Sequence, residues 1–143
     1  MSSFRHATVV ATFLSLAAAA HAQQPGSHFL ENWDLDASGD VSLAELEERR
    51  GDVFAAFDAN DDGALDASEY DIFDEARRAD MESQPGHGKG LAHVMTGLQR
   101  DANDTDGDGL VTRDEFIAAS ATWFQSLDRN GDGAVTTADF GRK

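Results

Sequence analysis

The sequence contains no cysteine, so the chain can form neither a disulfide bond nor a thiolate metal site. Basic residues are also scarce. Only 11 Lys and Arg stand against 27 Asp and Glu, which gives a formal net charge of −16. A chain with this charge is not attracted to nucleic acid or to an anionic membrane surface. The composition therefore excludes both classes of partner.

Long apolar runs are missing except near the N-terminus. There Arg5 and His6 precede the 14-residue run ATVVATFLSLAAAA, and Ala20-His21-Ala22 is a small-x-small cleavage signature. A membrane anchor is the alternative interpretation, but this run is shorter than the roughly 20 residues that span a bilayer. Residues 1–22 are therefore predicted to be a secretory signal peptide. This predicts a periplasmic or secreted protein with one mature domain at residues 23–143 and a net charge of −17, from 10 basic and 27 acidic residues.

Four segments of the mature chain share the form Asp-x-[Asp/Asn]-x-[Asp/Ser]-Gly. Each has an aliphatic residue two places after the Gly and a carboxylate six places after it. The segments are loop one (34–45), loop two (58–69), loop three (104–115) and loop four (128–139). A large hard cation such as calcium takes six to eight oxygen ligands at about 2.3 to 2.6 Å, and a loop of this form can supply them. One match could arise by chance in an acidic chain, but four cannot.

Each loop offers side-chain oxygens at positions 1, 3, 5 and 12 and a backbone carbonyl at position 7. The predicted metal-binding residues are Asp34, Asp36, Ser38, Asp40 and Glu45 in loop one; Asp58, Asn60, Asp62, Ala64, Asp66 and Glu69 in loop two; Asp104, Asp106, Asp108, Leu110 and Glu115 in loop three; and Asp128, Asn130, Asp132, Ala134 and Asp139 in loop four. Asp66 is included because it places a carboxylate at position 9. Position 6 is Gly in every loop, where the chain must turn sharply.

The four loops are not equivalent in charge. Carboxylates at positions 1, 3, 5, 9 and 12 number three in loop one, four in loop two, four in loop three and three in loop four. Asp139 is also one methylene shorter than the Glu at position 12 of the other loops. The sequence therefore predicts up to four calcium ions, bound more tightly by loops two and three than by loop one. Loop four is expected to bind weakest, or to tolerate the smaller magnesium ion better.

The chain is a tandem duplication with an offset of 70 residues. Asp34 corresponds to Asp104 and Asp58 to Asp128, and the apolar residues between the loops correspond as well. These apolar positions recur at helical intervals, so each inter-loop segment is predicted to be an amphipathic helix that feeds the core. Between the halves, a helix is expected to continue out of loop two, residues 84–90 to form a linker, and a helix from Leu91 to Leu98 to enter loop three. Trp33 and Trp123 are predicted to be core residues.

Only 12 residues separate the loops within each half. One helix over such a segment is about 18 Å long, so it would hold the two loops at its opposite ends, where they cannot pair. Loops two and three have 34 residues between them, room for a helical turnaround. We therefore predict that loop two pairs with loop three and loop one with loop four. Gly51 is a potential break in the first inter-loop helix, and the outer helices at 27–33 and 140–143 are expected to be short.

The loops resemble those of the EF-hand superfamily, and the resemblance covers essentially all of the mature chain. It implies an all-α fold, a helix-loop-helix bundle in which position 8 (Val41, Leu65, Val111 or Val135) makes a short strand contact between paired loops. The short inter-loop spacing is similar to that of lanmodulin, an exported bacterial lanthanide-binding protein. The lanmodulin loops resemble Asp-Pro-Asp with Asp at position 9. Here position 2 is never Pro, and Asp66 alone matches at position 9, so the likeness does not imply lanthanide selectivity.

Two functions agree with these patterns. The first is calcium binding, as a buffer or as a sensor that exposes apolar surface to an unidentified protein partner when the ions bind. The second is a carrier or scavenger of lanthanide or other metal ions. An enzyme is not expected, because no nucleophile stands beside a base. Like-charge repulsion in empty loops further predicts that the metal-free chain is loosened or partly unfolded.

Overall fold

A computed structural model of the protein describes residues 24–83 and 90–141, with the side chains of residues 90 and 91 outside the description. The predicted signal peptide and residues 84–89 of the predicted linker lie outside the described residues. Gly90 was predicted to end the linker but is the first residue of a helix. None of the described helices is both long enough and apolar enough to cross a membrane.

The described residues form six α-helices, one 3-10 helix and two short strands. In chain order they are α1 (Ser27–Trp33), α2 (Leu43–Phe57), β1 (Ala64–Leu65), α3 (Ala67–Ser83), α4 (Gly90–Thr96), α5 (Arg100–Asn103), β2 (Val111–Thr112), α6 (Arg113–Leu127) and the 3-10 helix Thr137–Phe140. The four loops connect these helices. The predicted all-α helix-loop-helix fold with short strand contacts is therefore confirmed.

The predicted pairing of the loops is also confirmed. Strands β1 and β2 are antiparallel, with Leu65 opposite Val111, so loop two pairs with loop three. Loops one and four meet at a single antiparallel bridge between Val41 and Val135, whose two N–H···O bonds are both 2.9 Å long. All four position-8 residues are buried, so the aliphatic side chains at this position anchor both loop pairs in the core.

The two inter-loop segments are continuous helices. Helix α2 links loop one to loop two and α6 links loop three to loop four, so the two helices run in opposite directions between the same two loop pairs. Gly51 lies within α2 and does not break it. A Cβ atom at this position would lie 3.2 Å from Arg113 Nη2 and 4.0 Å from Ile117 Cδ1, both on α6. The small residue thus lies where the two central helices pack closely.

The core joins both halves of the chain. Two of the apolar residues of the inter-loop segments, Val53 and Phe57, are partly buried against the cluster, and six are buried: Leu46, Phe54, Phe116, Trp123, Phe124 and Leu127. The rings of Phe54 and Phe116 lie 5.8 Å apart and connect α2 with α6. Trp33 and Trp123, which are 8 % and 3 % exposed, pack edge to face with centroids 4.9 Å apart. Both tryptophans are core residues, as predicted.

The helix that was predicted to enter loop three is interrupted. Helix α4 ends at Thr96, and a separate short helix, α5, begins at Arg100. A Cβ atom at Gly97 would lie 2.0 Å from the Trp123 ring, so only glycine fits this close approach. The expectation of one helix was therefore wrong, because the chain must pass against a large ring at this point.

The outer helices differ from each other. Helix α1 covers residues 27–33, as predicted. The expected helix at 140–143 was wrong, since the last turn is the 3-10 helix Thr137–Phe140 and residues 142 and 143 lie outside the description. It begins earlier because Thr136 caps it, and it ends at Gly141, whose backbone is extended.

Tyr70 is the one tyrosine of the chain and lies fully buried at the start of α3. Its hydroxyl donates to the Leu98 carbonyl at 2.9 Å and accepts from Asn103 Nδ2 at 3.1 Å. Burial raises the pKa of Tyr70 to about 12, since the phenolate would lose its contact with water.

We expect the tyrosine absorbance at 295 nm to titrate near pH 12 in the folded protein and near its ordinary value of about 10 in denaturant. A folded pKa above the unfolded one gives stability that is present below pH 10 and is lost as the pH rises through 12. The free energy of unfolding should fall by roughly 2 to 3 kcal/mol over that range. The titration is run in carbonate-free buffer with calcium present. A native midpoint near 10 would show that the hydroxyl is not buried as described.

Candidate metal centres

In every loop the carboxylate at position 12 accepts hydrogen bonds from N–H groups at both ends of the loop, at positions 2 and 9. One oxygen of Glu45 accepts the N–H groups of Leu35 and Asp36 at 3.0 and 3.3 Å, and the other accepts the N–H of Ser42 at 2.9 Å. Glu115 makes the same contacts in loop three, and Glu69 bonds positions 2 and 9 of loop two. The side chain thereby holds the beginning of the loop against the start of the next helix.

This geometry arises because position 9 is also a helix N-cap. The Ser42 and Thr112 side chains accept the N–H of Glu45 and Glu115, three residues on, in reciprocal capping boxes. In loop two, Asp66 Oδ1 is the N-cap acceptor, and it accepts the N–H groups of Ser68 and Glu69 at 2.7 and 2.9 Å. The Asp66 carboxylate was predicted as a ligand, and its contacts within the loop are those of a cap.

Loop four reaches the same arrangement with a shorter side chain. Asp139 accepts the N–H of Arg129 at 2.9 Å with one oxygen and the N–H of Thr136 at 2.8 Å with the other. The 3-10 turn that carries Asp139 is tighter than an α-helical turn, and Asp139 is only 2 % exposed. For loop closure the missing methylene is thus offset by a different backbone, and the two oxygens accept the N–H groups of positions 2 and 9, as the glutamates do in the other loops.

The side chains at positions 1 and 3 turn the first half of each loop inward. The position-1 carboxylate accepts the N–H of the position-6 glycine at 2.8 to 3.1 Å in all four loops. The position-3 oxygen accepts the N–H of position 5 at 2.9 to 3.1 Å in all four. These contacts order the backbone in the first half of each loop.

Two loops bring three carboxylates together. Each of Asp34, Asp36 and Glu45 in loop one offers an oxygen within 4.8 Å of the others, and Asp104, Asp106 and Asp108 do the same in loop three. Among the described residues, loops two and four show no such group of three acids, because Asn60 and Asn130 take position 3. The donor sets consist of oxygen atoms, which fits a hard cation such as calcium and does not fit a soft transition metal.

Three of the loop carboxylates, Asp36, Glu45 and Glu115, are held in their charged form by hydrogen bonds that lower their pKa. Hydrogen bonds from Thr112 and Thr105 lower the pKa of Glu115 to about 2. Hydrogen bonds from Ser42 lower the pKa of Glu45, and hydrogen bonds from Ser38 lower that of Asp36. Each of these donors stabilises the carboxylate over the neutral acid. The three groups are therefore ionised at neutral pH and available to a cation.

The remaining predicted ligands are distributed as expected, with one difference at position 5. Asp62, Asp108 and Asp132 accept the N–H of position 7 in their loops. Ser38 instead donates its hydroxyl to the Asp40 carbonyl at 3.2 Å. In loop one, two predicted ligands are therefore hydrogen-bonded to each other, the Ser38 hydroxyl and the Asp40 carbonyl.

Sequence reasoning missed position 4, which also adopts a left-handed backbone. It is Gly107 and Gly131 in loops three and four, with φ of 74° and 71°, but Ala37 and Asp61 in loops one and two, with φ of 59° and 56°. The Gly-x-Gly spacing of loops three and four was the available signal. Left-handed geometry costs roughly 1 to 2 kcal/mol in a residue with a Cβ atom, so loop one carries strain that loop three lacks.

Replacing Ala37 by Gly should therefore stabilise the protein. The relief of strain outweighs the added freedom of the unfolded chain, about 0.4 to 1 kcal/mol, so we expect a net gain of up to about 1 kcal/mol. Thermal unfolding at one fixed calcium concentration measures it. Gly107→Ala is the matched control, since a Cβ atom there meets nothing within 4 Å, and it should lose about as much. A destabilised Ala37→Gly variant would contradict the left-handed assignment.

Comparison with known proteins agrees with this geometry. The EF hand family pattern matches residues 51–73, 101–119 and 121–142. Two relatives come from Lytechinus pictus. Calcium-binding protein LPS1-beta is 27 % identical over 155 residues, and the match covers 78 % of this chain and 64 % of LPS1-beta. Calcium-binding protein LPS1-alpha is 26 % identical over 167 residues, and the match covers 78 % of this chain and 52 % of LPS1-alpha. The chain thus spans less than two thirds of either relative's length.

A third match is local. A transaldolase of Thermosynechococcus vestitus is 50 % identical over 38 residues, which cover 27 % of this chain and 10 % of that enzyme. A segment of that size does not extend the enzyme's activity to this chain. The paired helix-loop-helix geometry is that of an EF-hand fold, and the matched segments are similar to the EF hand family.

Proposed function

We propose that the protein binds calcium through its four loops and acts as a calcium buffer or sensor rather than as an enzyme. The observation that carries the proposal is the position-12 carboxylate, which bonds both ends of its loop and which in loop one lies within 4.8 Å of the position-1 and position-3 carboxylates. An ion held at this point would join the two ends of the loop and the helix start. The names of the two Lytechinus pictus relatives, both calcium-binding proteins, support the same ligand.

The difference between a buffer and a sensor lies in the apolar surface. The large hydrophobic residues that are exposed in the described part of the chain include Leu35 and Leu110, within loops one and three, and Ile72 on α3. A sensor would open its helices on binding and expose more of the core, whereas a buffer would not. Any protein partner would dock on the surface that such an opening creates.

We further propose that the chain is exported, with residues 1–22 removed. Export would place the loops in a compartment where calcium is abundant, and extracellular EF-hand sites bind with dissociation constants of about 10⁻⁴ to 10⁻³ M. Because the chain has no cysteine, bound ions rather than disulfide bonds would stabilise the fold of this small exported domain.

A carrier of lanthanide ions is the second candidate. The favouring observation is the architecture, in which single helices of 15 residues join loops within each half while the pairs form between the halves. This arrangement is similar to that of lanmodulin. Four acidic loops would also attract a trivalent ion, but every acidic loop protein shares that property.

The calcium proposal predicts that all four position-6 glycine amides respond to the ion. We expect the amides of Gly39, Gly63, Gly109 and Gly133 to shift in ¹⁵N-correlated spectra between micromolar and millimolar calcium, with Gly133 last. In Glu115→Gln the Gly109 amide should need at least about tenfold more calcium, and Glu75→Gln on the exposed part of α3 is the matched control. If none of the four amide resonances shifts at millimolar calcium, the proposal is wrong.

The same titration with a hydrophobic dye separates the two roles. Dye fluorescence that rises with calcium indicates a sensor, and dye fluorescence that stays constant indicates a buffer. Magnesium serves as the control ion.

Export predicts a processed N-terminus. The chain expressed with residues 1–22 in a Gram-negative host should be recovered from the periplasm beginning at Gln23, as intact mass spectrometry will show. Replacing Ala20 and Ala22 by bulky residues should leave the chain unprocessed. An unprocessed wild-type chain in the cytoplasm would contradict export.

A further inference from the structure

The two residues that directly flank loops two and three are joined by a buried hydrogen bond, and outside it Arg100 makes an exposed contact with Asp71 at 2.8 Å. Tyr70 follows the last residue of loop two, and Asn103 precedes the first residue of loop three. Asn103 Nδ2 donates to the Tyr70 hydroxyl at 3.1 Å. Both side chains are fully buried. The contact therefore connects the neighbour of one position-12 ligand, Glu69, with the neighbour of one position-1 ligand, Asp104.

Asn103 is also the centre of a larger network. Its Nδ2 lies 3.2 Å from the Gly97 carbonyl and 2.7 Å from the Gln99 carbonyl, both in the break between α4 and α5. Its Oδ1 accepts a hydrogen bond from Arg50 Nη2. The amide thus fixes the short helix that leads into loop three.

Arg50 attaches this network to α2 and α6. It is fully buried, and it donates from Nε to the Phe116 carbonyl at 2.9 Å and from Nη1 to the Gly97 carbonyl at 3.1 Å. Its guanidinium carbon lies 4.0 Å from the Phe116 ring centroid. Among the described residues no carboxylate pairs with it. Burying a charge costs several kcal/mol unless its donors are satisfied, so its position is strictly determined by these acceptors.

Within the part of the chain that the structure describes, the other loop pair has no such network at the equivalent places. By the 70-residue offset, Arg50 corresponds to Ser120, Tyr70 to Phe140, and Asn103 to Trp33. Ser120 is buried, and its hydroxyl has no partner within the described structure. Trp33 and Phe140 pack among aromatic rings, at 5.6 and 5.4 Å from Phe29. Loops one and four are thus joined at their flanks by apolar contacts.

These two kinds of contact transmit movement differently. A buried hydrogen bond is lost when its partners shift by a fraction of an ångström, and the groups left unpaired cost about 1 to 3 kcal/mol. Packed rings slide with less loss. An ion that fixes Glu69 and the start of α3 also fixes the Tyr70 hydroxyl, which then orders Asn103 beside Asp104.

We propose that Tyr70, Asn103 and Arg50 are positioning residues that couple loops two and three, so that an ion in either loop raises the affinity of the other. Among residues 24–83 and 90–141, loops one and four show no such buried polar contact between their flanks. The inference rests on the proposed calcium function and adds the route by which two of its four sites communicate.

The test compares the affinity of loop three with loop two intact and with loop two disabled by Glu69→Gln. The Gly109 amide reports loop three in calcium titrations of the full mature chain. In the otherwise unchanged protein we expect Glu69→Gln to weaken loop three at least about fivefold, the lower end of measured allosteric coupling. In the Asn103→Leu background the same change should weaken it less than about twofold.

Tyr70→Phe is the second background, and it keeps the test decisive if Asn103→Leu fails to fold. It removes one hydroxyl, and Phe140 occupies the equivalent position in the other half. It should give an intermediate coupling, while Ser120→Ala, the matched control, should leave the coupling unchanged. The Gly39 and Gly133 midpoints should stay constant in all of these variants.

Two results would overturn the inference while calcium binding stands. One is an unchanged Gly109 midpoint on Glu69→Gln in the parent protein. The other is an equal shift of all four glycine amides in the Asn103→Leu background, which would mean a merely structural role. Glycine amides that do not respond to calcium in the parent protein would overturn the proposed function and this inference together.

Discussion

The carboxylate at position 12 is the contact on which the rest of the structure depends. It accepts N–H groups from the beginning of its loop with one oxygen and from the N-cap of the next helix with the other. Without it, the loop would have no fixed closure and the helix no completed cap. Because the same group is a predicted ligand, the proposed ion would act directly on the contact that orders the chain.

The long-range organisation follows from this local contact. Each central helix carries a position-12 carboxylate in its first turn and ends just before position 1 of the next loop, so α2 and α6 hold loops at opposite ends. Loops can then pair only between the two halves, through Leu65 with Val111 and Val41 with Val135. The core forms where those pairs and helices meet. Loop closure, helix capping and packing of the two halves are therefore parts of one arrangement.

Much of this arrangement could be predicted from the sequence, because loop spacing and helix length limit which loops can meet. The break at Gly97 could not, since it reflects the bulk of Trp123 some 26 residues later in the chain. The 3-10 turn at Asp139 could not be predicted either, and the left-handed backbone at Ala37 is signalled only by the glycine at the equivalent position, Gly107. Arg50 left a readable signal, because it lies midway between Leu46 and Phe54 on the apolar stripe of α2. A charge in that place indicates a buried, satisfied group.

The most direct test of the central claim is a far-ultraviolet circular dichroism titration of the mature chain with buffered calcium, beside a parallel lanthanum series. If the position-12 carboxylates and their calcium ions order the helices, chelation should reduce the helical signal and calcium between micromolar and millimolar should restore it. A helical signal that is unchanged by chelation would contradict the claim that the ions order the fold. Helix that forms with lanthanum alone, while millimolar calcium leaves the chain disordered, would contradict calcium as the ligand and support the metal carrier.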